Sequence, residues 1–319
     1  MLNVTVEGDR VRIGERFAVS FHRTLRIPDD GRSYPLPPGL GRFPIERVAD
    51  FPGAMPEAWR DHNAIFIPLY QREALWIGFE AAAWKPNAVK IGVGGVNAIT
   101  GVAWDDRLRA SPQDYLVSPP QVWLDGVNSG DGSVHQFVGI PLGMGYTLEA
   151  QVTDAESMGG IQILVFEPRP GQFPDRPPEK PPSPPALRAP VMGLGAGGQI
   201  RQKLYADPHG VETWDADNLG RVNVRLVNSD QYRELTGKLP PPTPVDTKAY
   251  VGHGLPWFDV YDEDLPHLPP ATPLIGVKTI RELDAERGLE PGSEDQSFDV
   301  PEQHIHRQHL DQAESESDE

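Results

Sequence analysis

Proline and glycine interrupt this chain so often that long regular helices have no room. The sequence holds 35 prolines and 32 glycines in 319 residues, roughly double ordinary usage. Proline removes a backbone donor and glycine supplies conformations that end regular structure, so the chain reads as short segments between turns. Alternation of period two fills those segments. Val4 and Val6, then Val11 and Ile13, flank the turn-forming EGDR as in a hairpin; Phe17, Val19 and Phe21 continue the pattern, with Ser20 and His22 on the opposite face. Apolar runs follow: AIFIPLY, ALWIGFE, AVKIGVGGV, QVWLDGV, VHQFVGI, TLEAQV and IQILVFE, each trailed by turn residues such as KPN, NSGDGS or SMGG. About eight to ten short strands at this spacing predict a mainly β chain whose residues 1–167 form an antiparallel β-sandwich or jelly-roll-like domain.

The composition then breaks. Residues 168–190, PRPGQFPDRPPEKPPSPPALRAP, contain ten prolines, which forbids helix and central strand and predicts a stiff proline-rich linker. A smaller β-rich (α+β) unit is expected over 191–265, with strands in QIRQKLY and GRVNVRLVNS. One short helix is expected in SDQYRELTG, capped by Ser229 or Asp230 and closed by Gly237. Residues 266–319 read as a proline-rich, then acidic and mostly disordered tail, with a short helix at 278–287.

Charge narrows the partners. The formal net charge is −17, and residues 291–319 contribute nine acids against Arg307. Nucleic-acid binding depends on Lys and Arg neutralising phosphates, so this balance argues against it. With no cysteine in the chain, disulfides, thiolate metal sites and thiol nucleophiles are excluded. MLNVTVEGDRVRIGE lacks the charged-then-apolar order of a signal peptide, and no apolar run approaches the length of a membrane span. The expectation is a cytoplasmic protein. Exposed sheet edges would permit a homo-oligomer.

Chemical motifs are sparse. Gly193, Gly195 and Gly198 satisfy G-x-G-x-x-G, with Asp217 about where a ribose partner would stand. A dinucleotide fingerprint needs a strand before the loop and a helix after it. Here a proline-rich stretch leads in and the alternating QIRQKLY leads out, so the glycines read as close backbone contacts and no nucleotide cofactor is expected. LGMGYTL at 142–148 echoes LGAGGQI at 194–200, the pattern an internal structural repeat would leave. Asp215 and Asp217 begin WDADNLG like a calcium loop, but Leu226 stands where the closing carboxylate belongs. Asp259, Asp262, Glu263 and Asp264 form a second acidic cluster, and a Ca²⁺ site built from Asp215, Asp217, Asp259 or Asp262 is the metal hypothesis. His304, His306 and His309 form H-x-H-x-x-H. No nucleophile elbow, S-x-x-K, H-E-x-x-H or P-loop occurs. Of seven tryptophans, Trp76 inside ALWIGFE reads as core; Trp104, Trp123 and Trp257 sit beside turn residues and are the expected exposed, partner-binding positions.

The strings LYQREALWIGFE, KIGVGGVNAITG, QDYLVSPPQVWLDGV, QFVGIPLGMGYTLEAQVT and MGLGAGGQIRQKLYADPHGVETWDADN together resemble a family of uncharacterised β-rich proteins of bacteria and fungi, over residues from about 20 to 265. Some of its members are labelled integral membrane proteins, which the hydropathy of this chain contradicts. The resemblance implies no catalytic residue or cofactor. It makes the glycine loop and WDADN parts of one block.

Two functions from different classes follow. The first is a non-enzymatic binding or assembly protein that holds a protein or glycan partner through Trp/Gly-rich loops. The alternative is a carbohydrate-active or metal-assisted hydrolase whose carboxylates, from Asp125, Asp215, Asp217, Asp259 or Asp262, converge in space.

Overall fold

The computed structural model describes residues 1–53, 55–60, 63–130, 132–176, 194–252, 255–261, 265–290 and 292–309. Two large sheets dominate. The first is built from β1 (Val4–Glu7), β2 (Arg10–Ile13), β3 (Phe17–Thr24), β4 (Ser33–Tyr34), β5 (Gly39–Arg42), β8 (Ala74–Glu80), β12 (Trp123–Leu124), β13 (Gly126–Gly130), β14 (Ser133–Gly139) and β16 (Leu194–Arg201). Its order is β1-β2-β3-β8-β14-β16-β4, with β5 added on β3, β12 on β8 and β13 on β14. The second contains β6 (Glu46–Arg47), β7 (Ala64–Pro68), β9 (Asn87–Val93), β10 (Val96–Asn97), β11 (Leu116–Ser118), β15 (Ile161–Pro168) and β17 (Trp214–Val227). It runs β10-β9-β15-β17-β7-β6, with β11 on β9. A separate parallel pair joins β18 (Trp257–Tyr261) to β19 (Ile305–His309).

The predicted alternation decides which side of each strand is dry. Val19 and Phe21 of β3, Leu75 and Ile77 of β8 and Phe137 of β14 enter the same buried cluster as Val89 and Ile91 of β9, Ile163 and Val165 of β15, and Val222 and Val224 of β17. One apolar core therefore serves both sheets. The hairpin expected around EGDR is present, with Val4 opposite Ile13 and Val6 opposite Val11.

Several expectations need correction. The sheets are mixed rather than purely antiparallel, since β16 pairs with β4 and β17 with β7 in parallel. Among the described residues neither sheet closes into a barrel. Strands from beyond residue 191 lie inside both sheets, β16 between β14 and β4 and β17 between β15 and β7, so that boundary does not divide the core. TLEAQV is not a strand: it forms α1 (Leu148–Thr153), because the Thr147 hydroxyl accepts from the Ala150 N–H and caps it. The LGMGYTL echo thus leads into a helix while LGAGGQI is itself a strand, and the likeness is not a structural repeat.

Helix α2 (Ser229–Thr236) is capped by Asn228, one residue before the expected positions, and ends on left-handed Gly237 as anticipated. Two short helices, α3 (Thr247–Gly252) and α4 (Thr272–Ile275), follow. α5 (Ile280–Glu286) has a capping box between Thr279 and Glu282. Residues expected to be a disordered tail are instead packed: Ile280 and Leu283 join Ala74, Val138, Ile140 and Tyr146 in an apolar cluster. Arg26 holds Asp295 at 2.8 Å and Glu294 at 3.0 Å, and Arg72 holds Asp284 at 2.8 Å. The linker prolines from 177 on and the final residues 310–319 lie outside the described residues.

Candidate functional site

Along β8 the parity that sends Leu75, Ile77 and Phe79 into the core leaves Trp76, Gly78 and Glu80 on the outer face of the first sheet. On β3 the same face carries Ser20 and His22. Register places His22 opposite Trp76 and Ser20 opposite Gly78, and the cross-strand pair is realised as a parallel stack, the imidazole and indole centroids 3.7 Å apart at 9°. Ser20 Oγ lies 2.8 Å from His22 Nε2, fixing the ring's edge. A Cβ on residue 78 would meet His22 Nε2 and Ser20 Oγ at 3.0 Å and the Trp76 ring at 3.2 Å; glycine is what lets the three side chains share this spot. Burial, with the Arg42 charge a smaller cause, pushes the His22 pKa down to about 3, so the imidazole under Trp76 is neutral.

On the far side of β8 comes β12, with Trp123 opposite Gly78 and Leu124 opposite Ile77. Carried one residue further, that register brings Asp125 level with Trp76. Beside this pairing lies a groove of about 310 Å³, lined by Trp76, Trp123, Asp125, Val122, Phe258 and the segment Leu36–Gly39. Phe258 arrives through a two-way backbone bridge with Leu36, 2.7 and 2.9 Å. Both tryptophans are half-buried and Val122 is exposed.

Asp125 is the one ionisable side chain lining this groove among the described residues. It is 4 % exposed. Its backbone N–H donates to Gln202 Oε1 at 2.8 Å, and its carboxylate accepts from the Trp123 indole N–H. That single donor does not offset burial, which pushes its pKa up to about 7. Other buried acids are better provided for. Glu73 has Arg23, Asp114 has Lys90, Asp284 has Arg72 and Asp295 has Arg26; Glu149 accepts backbone N–H groups from Ser157, Met158 and Gly159.

The residues singled out from sequence are scattered. Trp123 is in the groove. Trp104 is half-buried on the second sheet, packed on Gly92 with the Lys90 ammonium 5.5 Å from its ring. Trp257 is 1 % exposed, wedged among Tyr250 and Phe298, so the expectation of an exposed, partner-binding Trp257 fails: C-terminal residues cover it. Trp76, expected in the core, supplies a groove wall instead. Its parity with Gly78 and Glu80 was the signal that could have placed it.

Asp215 and Asp217 lie on β17, where the Asp217 N–H donates to Asp215 Oδ1 at 3.0 Å. Asp259 on β18 is held by Arg201 at 3.3 Å, and Asp262 falls outside the described residues, as do Glu263 and Asp264. Among the described residues no three His, Asp or Glu side chains form a metal-sized group. Gly195 and Gly198 of the glycine motif lie on β16, not in a loop that leads into a helix, and Gly193 falls outside the described residues; a Cβ at Gly198 would collide with the Pro28 and Ile27 carbonyls, so this glycine permits a backbone crossing. His135 on β14 has its Nδ1 3.3 Å from the Gly197 carbonyl oxygen. No helix is long and apolar enough to cross a membrane among the described residues.

Comparison with protein-family models, with curated proteins and with solved structures finds no match for this chain.

Proposed function

We propose that this protein is a non-enzymatic binding protein, a two-layer β-sandwich that holds a protein or glycan partner in the groove between Trp76 and Trp123. One observation carries the reading: two large indoles stand half-buried in the wall of one groove, with the one next to β3 held in orientation by the His22 stack. Rigid aromatic walls around a concave apolar surface are what a partner's flat or apolar group needs. A hydrolase would require a second carboxyl or a metal beside Asp125, and among the described lining residues there is neither a further acid nor a histidine.

The test is a screen of the full chain against neutral glycans, peptides and small organic ligands, read by tryptophan fluorescence and by thermal shift. Saturable binding by the native chain, lost in Trp76→Ala and Trp123→Ala variants that melt like the parent, supports the reading. Binding that survives both substitutions would move the site elsewhere.

A further inference from the structure

We infer that the Trp76–Trp123 groove is a cation site, taking an alkylated ammonium group between its aromatic walls with the Asp125 carboxylate as counter-charge. This rests on the reading of the groove as a binding site and names what it binds. Three facts converge. Trp76, Trp123 and Phe258 line one groove of about 310 Å³, room enough for a substituted ammonium, and indole faces attract cations through their quadrupole, most strongly when water is excluded. Asp125 lines the same groove, is 4 % exposed, and has no basic partner in hydrogen-bond or ion-pair reach among the described residues. A buried carboxyl left with one neutral donor is costly, and other buried acids of this chain are matched by a Lys or Arg or by several backbone N–H groups. A ligand cation supplies the missing partner. Finally, the chain carries a net charge of −17, which draws cations toward it and repels anions.

A neutral sugar fits these facts less well. It asks for several fixed donors and acceptors, and the described lining side chains offer two polar groups, the Asp125 carboxyl and the Trp76 indole N–H, the Trp123 N–H being already engaged. The charged groups on neighbouring strands are occupied. His22 behind Trp76 is neutral, Arg42 opposite His22 pairs with Asp9 and Glu80 at 3.3 Å each, and Asp259 beside Phe258 pairs with Arg201.

The probes are tetramethylammonium, choline and a trimethyllysine peptide, against uncharged neopentyl alcohol and a neutral oligosaccharide, titrated into the full chain by tryptophan fluorescence and calorimetry. The cations are expected to bind saturably, and tighter as pH rises from 5 to about 8, because Asp125 ionises near 7. Asp125→Asn should weaken tetramethylammonium by about tenfold or more and flatten the pH profile while keeping the melting behaviour of the parent. Trp76→Ala should weaken every cation. Choline binding without peptide binding assigns a free small molecule, and the reverse assigns a protein partner; either supports the site. Equal affinity for tetramethylammonium and neopentyl alcohol, or oligosaccharide binding with no cation binding, would overturn the cation assignment while leaving the groove as a binding site. No binding by any probe overturns the cation assignment as well, and the broader screen then decides the groove.

Discussion

The His22 imidazole lies flat against the Trp76 indole, 3.7 Å between ring centres, with Ser20 Oγ on its Nε2 edge. Its folded pKa of about 3 lies below the roughly 6.5 of a free imidazole. The unfolded chain therefore takes up the extra proton, and the contribution to stability is full above about pH 6.5 and lost as pH falls toward 3. Histidine NMR should show this ring neutral at pH 5. His22→Phe should keep the stack and flatten the denaturation midpoint between pH 4 and 6.5; an unchanged slope would exclude His22 as its source.

Asp29 behaves in the opposite sense. Burial first, then the charges of Glu282 and Asp295, raise its pKa to about 7. Here the folded chain binds the extra proton, so stability is fully present below about pH 4 and declines as pH rises to 7. Asp29→Asn should stabilise the protein at pH 8 and leave it nearly unchanged at pH 4, as read from urea midpoints.

Lys90 is 0 % exposed, its ammonium held by Asp114 and Asp105 at 2.8 Å each and by the Arg107 carbonyl. Lys90→Met takes away the closer of the two basic partners of buried Asp114, leaving it Arg109 at 3.1 Å, and should cost about 3 kcal/mol, the low end for breaking a buried pair. Adding Asp114→Asn should recover part of that loss, so the double-mutant cycle measures the pair.

Gly198→Ala forces a methyl against the Pro28 and Ile27 carbonyls. A loss of about 1–3 kcal/mol is expected from overpacking a backbone crossing. Calorimetry of the variant checks it, and a neutral outcome would undo the close-approach account of the glycine motif.

Local patterns were legible and distant pairings were not. The β1–β2 hairpin, the Gly237 stop and the α5 capping box follow from residues within a few positions of one another. TLEAQV misled because one threonine cap outweighed its alternation. Trp76 could have been placed by parity alone, since its strand mates Leu75 and Ile77 claim the core. Trp257 could not: what buries it includes Phe298, some forty residues away. The same holds for the groove, where Phe258, Leu36 and Trp123 meet through strand pairings that no local signal encodes.

β16 and β17 come late in the chain yet occupy interior places. A ribosome that has made residues 1–176 has produced β14 and β15 without the partners that follow, and β4 and β7 without the neighbours that tie them in. Ala64 waits for Asn223, and Ser33 for Gln199. Closure over such spans makes folding slow and keeps it from proceeding unit by unit during synthesis. The nascent first half carries open strand edges, templates for pairing with another chain, for as long as translation takes to reach residue 227.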